Sequence, residues 1–368
     1  MKIKRFYAEN FRNIEKCDIL FSDGVNLLYG DNAQGKTNAI EGIYVFARGK
    51  SFRNADDKDL IKFGCEGFRI GVEYTDKSGD NSLEYCLFGK ERRRRKNGYK
   101  IDKIKEMIGS FKAVLFYPDD LSLVKDSPEE RRSFLNIAIS QCYDVYLSYY
   151  SNYKKALENR NCLLKLASKG FYIDENELIS WSYYMAEYAA YICLMRKEYI
   201  KKLELYASKI MKDISDGNEN ISLSYKSDIE EDINNYEVIK EEYKRIFTEK
   251  TDKEKIVGNT LYGPHRDDIE IKINEKSARS FASQGQQRSI VLALKLAEGE
   301  VNRDICGEYP VFLFDDVLSE LDEKRKKYIL SGIGERQIII TSCEKEIEGV
   351  NADKIISVAD GIYEKKKI

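Results

Sequence analysis

The chain holds a single histidine, a single tryptophan and four prolines in 368 residues. With His265 standing alone, a Cys/His zinc site would lack its usual ligands. Eight cysteines are present, Cys17, Cys65, Cys86, Cys142, Cys162, Cys193, Cys306 and Cys343, but no two stand as a C-x-x-C pair and no regular framework emerges. They are expected to be reduced, mostly buried thiols. No stretch approaches the roughly 20 uninterrupted apolar residues that a membrane helix needs. Residues 1–16 lack an apolar core and a small-residue cleavage site, so a secretory leader is not expected. Cytoplasm is the expectation, with no membrane partner. Excess charge of one sign is also lacking. Lys and Arg number 61 against 63 Asp and Glu, a net charge of −2. That argues against wholesale coating of nucleic acid while leaving room for a local basic surface.

Apolar material is plentiful, at 42% of residues beside 34% charged. The length exceeds one typical core and suits two linked lobes. Segments 3–11 and 17–21 read as strands, and the apolar run Val25 to Tyr29 leads directly into a Gly-rich turn. Residues 37–49 read as a helix, with Ile40, Ile43, Tyr44 and Ala47 at three- and four-residue spacing. Short alternating segments between 66 and 117 predict a twisted antiparallel sheet with hairpins. Within them, Arg92 to Lys96 ahead of Asn97-Gly98 reads either as a solvated hairpin tip or as a tip that touches phosphate.

The texture changes after Pro118. Residues 128–213 predict two helical segments of roughly forty residues, each about 60 Å long, separated by a break at Lys169-Gly170-Phe171. The stripe Phe134, Ile137, Tyr146, Tyr149, Tyr150, Tyr153, Leu157 favours a helix–helix core over a base-stacking surface. Strand-and-turn texture returns from about 257, with buried-type strands at 310–314 and 337–340 and a hairpin near 354–364. The expected plan is the first half of one lobe (1–117), a mainly helical insertion (118–256), and a second half that completes the first lobe's sheet (257–368).

Chemistry concentrates in four motifs. Gly30-Asp31-Asn32-Ala33-Gln34-Gly35-Lys36-Thr37 fits G-x-x-x-x-G-K-[ST] in full. Its glycines let successive N–H groups face phosphate oxygens at a helix N-terminus, with Lys36 reaching the β- and γ-phosphates and Thr37 ligating Mg²⁺. Asn38, next in the helix, joins the expected nucleotide contacts. Val311 to Phe314 form an apolar strand ending in Asp315-Asp316. Asp315 is the expected Mg²⁺ partner, through water, and Asp316 the group that orients or deprotonates the attacking water. Ser283-Gln284-Gly285-Gln286-Gln287 reads either as a γ-phosphate signature at a helix start or as a polar N-cap. Leu318-Ser319-Glu320-Leu321-Asp322 follows directly after the acidic pair.

This order of phosphate loop, insertion, signature, acidic pair and D-loop resembles ABC-type ATPases with SMC-like heads. The implied fold class is an α/β P-loop head of mixed sheets with an inserted helical lobe. Within that class the chain is similar to the RecF family, on the stretches 10–13, 51–53, 116–125, 127–135, 263–268 and 315–322. The resemblance implies ATP and Mg²⁺ as cofactors and an ATP-dependent homodimer. In it Ser283, Gly285 and Gln286 would cap the nucleotide held by the partner's phosphate loop, with Lys36, Ser283 and Asp316 as the catalytic set. It further implies binding of duplex DNA beside single-strand gaps and, with RecR and RecO, loading of RecA. Slow hydrolysis would reset the dimer.

Some positions depart from the wider ABC pattern or stay open. Asp316 stands where many ABC ATPases carry glutamate, which predicts slow turnover. Thr341-Ser342-Cys343 occupies the place of the switch histidine, and no counterpart of the Q-loop glutamine is evident near 116–118. Arg12 and Arg53 are each either phosphate contacts or salt-bridge partners, and His265 is either a structural hydrogen-bonding residue or a neighbour of the nucleotide or dimer contact. The rival reading is a structural, DNA-tethering SMC-type ATPase, for which the insertion is too short to form long coiled-coil arms.

Overall fold

The computed structural model describes residues 1–230, 232–331 and 335–365. The chain runs β1 (Lys2–Phe11), β2 (Ile14–Leu20), β3 (Val25–Tyr29), α1 (Lys36–Arg48), β4 (Gly67–Asp76), β5 (Gly79–Phe88), β6 (Glu91–Lys96), β7 (Tyr99–Ile101) and β8 (Ala113–Phe116). It continues through α2 (Ser122–Lys125), α3 (Pro128–Cys142), α4 (Tyr146–Ala167), α5 (Glu175–Ile214), β9 (Ile221–Lys226), α6 (Tyr236–Glu249) and α7 (Thr251–Val257). The last part comprises β10 (Asp268–Ile273), β11 (Lys276–Ser277), α8 (Ala278–Phe281), α9 (Gln284–Cys306), β12 (Val311–Asp315), α10 (Glu323–Ser331), β13 (Ile338–Ser342), β14 (Lys354–Ala359) and β15 (Ile362–Lys365). Among the described residues no helix is long and apolar enough to cross a membrane.

Two compact units emerge. One comprises Met1–Leu121, Lys209–Glu219 and Ser283–Ile368; the other comprises Ser122–Ser208 and Asn220–Ala282. Against the expected boundaries, the return to the first unit falls at 283 rather than 257. The reason is that β9, β10 and β11 close a sheet of their own in the second unit, in the order β11-β10-β9. The stretch 209–219, at the end of α5 and beyond it, belongs to the first unit.

The first unit is built on two six-stranded sheets. Strands β2-β1-β4-β5-β6-β7 form an antiparallel sheet, whose inner face buries Phe6, Ala8, Ile70, Val72, Leu83, Tyr85 and Leu87. Strands β15-β14-β3-β13-β12-β8 form the other, parallel except for β15. Its central strands are continuous apolar runs because both faces are covered. Helix α1 contacts β1 and β4 of one sheet and β8, β12 and β13 of the other. It is therefore buried nearly all round, from Ala39 to Ala47.

The basic run is a strand rather than a hairpin tip. Asn97 (φ 50°) and Gly98 (φ 81°) make the turn, and β6 itself carries Arg92 to Lys96 in register with β5. Each of the five is engaged: Arg92 with Asp57 at 2.6 Å, Arg93 with Glu91 at 2.8 Å, Arg94 over the Tyr85 ring at 4.9 Å, Arg95 with Glu84 at 3.4 Å and Lys96 with Ser110 at 2.9 Å.

In the second unit, the first of the two expected forty-residue helices is broken. Tyr143 takes an extended conformation (φ −129°, ψ 104°), ending α3, and α4 starts afresh at Tyr146. The second is one helix of 40 residues, α5. Two wholly buried arginines organise the interior. Arg160 pairs with Glu254 at 2.7 Å and donates to Ser182 Oγ, Thr260 Oγ1 and the Phe247 carbonyl. Arg196 donates to the Pro264 carbonyl at 2.7 Å, Asn136 Oδ1 at 3.0 Å and the hydroxyls of Tyr146 and Tyr225.

The segment Gly263 to Asp268 is part of this polar core. His265 Nδ1 lies 2.6 Å from Tyr153 Oη and Nε2 lies 3.2 Å from the Thr260 carbonyl oxygen. Burial holds its pKa down at about 4. Asp268 accepts from Arg131 Nε at 2.7 Å and Nη2 at 2.9 Å, so segments 127–135 and 263–268 meet here. His265 thus takes the structural place of its two readings.

The cysteine expectation is corrected. Only Cys17, Cys193 and Cys306 are buried, while Cys162 and Cys343 are exposed. Cys162 sits on the solvent side of α4, and Cys343 directly follows β13 beside the phosphate loop.

Candidate nucleotide site

All features of this site lie in the first unit. Strand β3 is central in the parallel sheet, between β14 and β13, so the loop after it emerges where the sheet's carboxyl ends converge. Glycine is required at both ends of that loop. A Cβ on Gly30 would stand 2.1 Å from the Val358 carbonyl oxygen, and Gly35 has φ +113°, a region that side chains avoid. Ala33 also has a positive φ, +66°.

The surroundings brace this strained loop. Tyr363 Oη donates to the Gly35 carbonyl at 2.8 Å, Gly361 N donates to the Gln34 carbonyl at 2.9 Å, and Asn13 Nδ2 donates to the Ala33 carbonyl at 3.3 Å. Asn38 Nδ2 in turn donates to Asn13 Oδ1 at 2.7 Å. Helix α1 then begins with no side-chain cap, which leaves its positive end to an external anion.

Lys36 is 3% exposed. Its ammonium donates to the carbonyls of Gly30 (2.6 Å) and Asp31 (3.0 Å) and lies 3.5 Å from Cys343 Sγ. Cys343 Sγ also donates to Asn32 Oδ1 at 2.9 Å. A buried ammonium held by neutral carbonyls beside an uncapped helix start suits phosphate, a stronger charge-assisted acceptor.

Strands β12 and β13 bring the acidic pair to the same end of the sheet. Asp315 is in register with Thr341, whose Oγ1 donates to Asp315 Oδ1 at 2.8 Å and accepts from Asp316 N at 3.0 Å. Burial pushes Asp315 up to about 6, opposed by hydrogen bonds from Thr341 and Thr37 and reinforced by the Asp316 charge. The two expected metal ligands, Thr37 and Asp315, therefore lie side by side, and a hydroxyl beside a carboxylate is an oxygen donor set that suits Mg²⁺. Asp316 is held at φ +52°, a conformation that costs of order 1 kcal/mol in a non-glycine residue. Its carbonyl accepts from Ser319 Oγ at 3.1 Å. Leu318–Glu320 follow as a 3₁₀ turn; the Glu320 side chain lies outside the described residues.

Ser283 is the N-cap of α9. Its Oγ accepts from Gln286 N at 3.3 Å, and Gln286 Oε1 accepts from Ser283 N at 2.9 Å. The two readings of the signature are compatible, since a hydroxyl that accepts as a cap still has its own proton to donate. Gln286 Nε2 donates to Glu219 Oε1 at 2.8 Å. Arg325 of α10 donates to the Gly285 carbonyl at 3.1 Å and to Ser289 Oγ at 2.6 Å. Ser283 and Gly285 are exposed. Among the described residues no hydrogen bond of Ser283 or Gly285 reaches the phosphate loop of the same chain.

Arg12 forms a two-pronged pair with the wholly buried Glu41, at 2.6 and 2.9 Å, and donates to the Asp59 carbonyl at 2.9 Å. In this structure it takes the salt-bridge side of its two readings. Arg53 stands 3.6 Å from Glu41 and donates to Asn38 Oδ1 at 3.1 Å, next to the phosphate loop. Glu41 and Tyr363 escaped prediction as parts of this site because their contacts cross long stretches of chain; Thr341 was singled out in the switch-histidine stretch, but not as the partner of the acidic pair.

Comparison with known proteins agrees with this geometry. Residues 2–365 match the family model described as the RecF/RecN/SMC N terminal domain. The DNA replication and repair protein RecF of Clostridium novyi (strain NT) is 41% identical over 344 residues, covering 93% of this chain and 92% of the relative. That of Clostridioides difficile (strain 630) is 37% identical over 362 residues, covering 97% and 96%. A solved structure of the recombination mediator protein RecF with ATP, in the RecFOR pathway, superposes with a TM-score of 0.92 at 35% identity, covering 100% of this chain and 98% of that one.

Proposed function

The chain belongs to the RecF family within the RecF/RecN/SMC N-terminal class, and from that membership we propose that it is an ATP-switched, DNA-binding homodimer of recombinational repair. The observation that carries the reading is the split nucleotide site. Gly30 to Asn38 and the Thr37–Asp315 pair form one half, while the exposed Ser283 and Gly285 form another half with no bond to the first. A signature that faces solvent is completed by the phosphate loop of a second copy.

ATP would be held by Gly30 to Asn38, with Mg²⁺ at Thr37 and Asp315; bound Mg²⁺ neutralises developing phosphate charge. Lys36 exchanges its carbonyl partners for phosphate oxygens. Asp316, fixed by Thr341 and Ser319, orients the attacking water. Its carboxylate is one methylene shorter than the glutamate of many ABC ATPases, so turnover is slow and ATP acts as a timer. Arg12 acts by holding Glu41 under α1, with any phosphate contact made only in the nucleotide-bound dimer. DNA is the duplex beside a single-strand gap, and RecR, with RecO, is the partner through which RecA is loaded. The presence of an ATP-bound relative in the RecFOR pathway supports this assignment.

The test is complementation between two inactive variants. Lys36→Ala and Ser283→Arg should each abolish ATP hydrolysis and the ATP-induced dimer seen by light scattering. Mixed together, they form a heterodimer with one intact composite site, and hydrolysis should return. Failure of the mixture to recover activity would remove the shared-site reading.

A further inference from the structure

The phosphate loop, the signature and the acidic pair each lie at the end of an element whose buried portion reaches one polar cluster. Lys295 stands about three turns into α9 from Ser283. Its ammonium is 3.0 Å from Asp120 Oδ1, and both side chains are 7% exposed. Asp120 Oδ2 accepts from Tyr117 N at 2.9 Å, and Asp120 N donates back to the Tyr117 carbonyl at 3.0 Å.

Tyr117 directly follows β8, whose Phe116 stacks on Phe314 at 4.2 Å, one residue before Asp315. Its ring also meets Phe52 at 5.1 Å, and Phe52 meets Tyr44 of α1 at 6.2 Å. Helix α1 begins at Lys36, so the three parts of the nucleotide site converge on Tyr117, Asp120 and Lys295.

One further group is unsatisfied. Glu298, the next turn of α9, is 3% exposed, and among the described residues its Oε2 has no hydrogen-bond partner. Burial pushes it up to about 7 against the pull of Lys295. Lys295, which burial alone would lower, is raised by the charges of Asp120 and Glu298 together. The ammonium therefore pairs with one carboxylate and lies within electrostatic reach of a second, which has an oxygen without a hydrogen-bond partner. Such an arrangement is poor value for stability, because well-packed apolar groups usually replace a buried ion pair without loss. It suits an element with two positions.

We propose that Asp120, Lys295 and Glu298 form a two-position latch, in which Lys295 moves between the two carboxylates as α9 shifts against the Tyr117 loop. Lys295 on Asp120 holds the signature helix in the single-chain position. Transfer toward Glu298 frees α9 to present Ser283 and Gly285 to the nucleotide of a second copy. Asp120 and Lys295 are positioning residues, touching no nucleotide, and they link the Tyr117 loop to the signature helix. The latch rests on the ATP-driven dimer proposed above.

The test uses the full chain carrying Asp120→Leu with Lys295→Met, and separately Asp120→Asn, which keeps the acceptor for Tyr117 N. Three quantities are read: melting temperature, affinity for a fluorescent ATP analogue, and the protein concentration at which ATP–Mg²⁺ drives dimerisation. The double variant should melt within a few degrees of the wild type and bind the analogue within about threefold, yet its dimerisation midpoint should move by about tenfold or more. Asp120→Asn should move the midpoint in the same way, and it carries the test alone if the double variant fails to fold. A wild-type midpoint in folded variants overturns the latch. So does loss of analogue binding, which would make these residues part of the binding site. If the wild type itself forms no dimer with ATP, the shared-site reading falls first and the latch falls with it.

Discussion

Thr341 gives the acidic pair its geometry through one hydroxyl, which donates to Asp315 and accepts from the strained Asp316. Thr341→Val keeps the shape and removes both bonds. We expect a loss of about 1–2 kcal/mol in stability and a Mg²⁺ requirement for ATP hydrolysis raised by about tenfold, read from a metal titration of the rate. Equal metal dependence in variant and wild type would show that Thr341 does not orient the ligand. His265 provides a second residue-scale prediction, with a definite sign. Its folded pKa of about 4 lies below the ordinary 6.5. Between those values the unfolded chain takes up a proton that the buried ring refuses. Its contribution is therefore complete above pH 6.5 and declines by about 1.4 kcal/mol per pH unit toward pH 4. The difference in urea stability between wild type and His265→Gln should follow that slope; a pH-independent difference would place His265 outside the titrating core. The loop residues from Gly30 to Thr37 were legible because eight consecutive positions carry their whole chemistry. Thr341 was marked by its place in the switch-histidine stretch but not as the partner of the acidic pair, and Glu41 and Tyr363 were not legible, because a glutamate in a helix and a tyrosine near the end have no local signature. Their roles arise only when β13 pairs with β12, Arg12 meets α1, and β15 folds back on the loop.

At the scale of elements, the period of apolar residues revealed β1, β3, α1 and the antiparallel sheet, since each buries one clear face or two. The break between α3 and α4 was hidden because the residue that leaves the helix is Tyr143, and no glycine or proline stands at 142–145. Strand β9 was missed for a related reason. Six residues, Ile221–Lys226, alternate between buried and more accessible positions, but they sit in a stretch dominated by helical texture, and among the described residues only β10 pairs with them. The boundary moved with that strand. The Arg160–Glu254 pair clamps α4 to α7 with both side chains wholly buried. Arg160→Met should strand Glu254 without its partner and cost about 3–5 kcal/mol in denaturant unfolding, while Arg160→Met with Glu254→Met should recover part of that loss. A double variant worse than the single would mean that Glu254 is held by its other bond, from Leu261 N, more than by the arginine.

At the scale of the whole molecule, the proposed function couples a composite nucleotide site to a DNA-binding dimer. The net charge of −2 is no obstacle, because a clamp needs basic surface only where it meets the duplex. The arginines of β6 are each engaged with a neighbour in the single chain, but such exposed ion pairs are weak and leave them open to exchange for phosphate. The most direct measurement is fluorescence anisotropy of a gapped duplex titrated with the protein, with and without ATP–Mg²⁺, beside Lys36→Ala. ATP should tighten binding of the wild type by tenfold or more and leave the variant unchanged. Binding that is negligible, or indifferent to nucleotide and to Lys36, would contradict the ATP-switched DNA clamp.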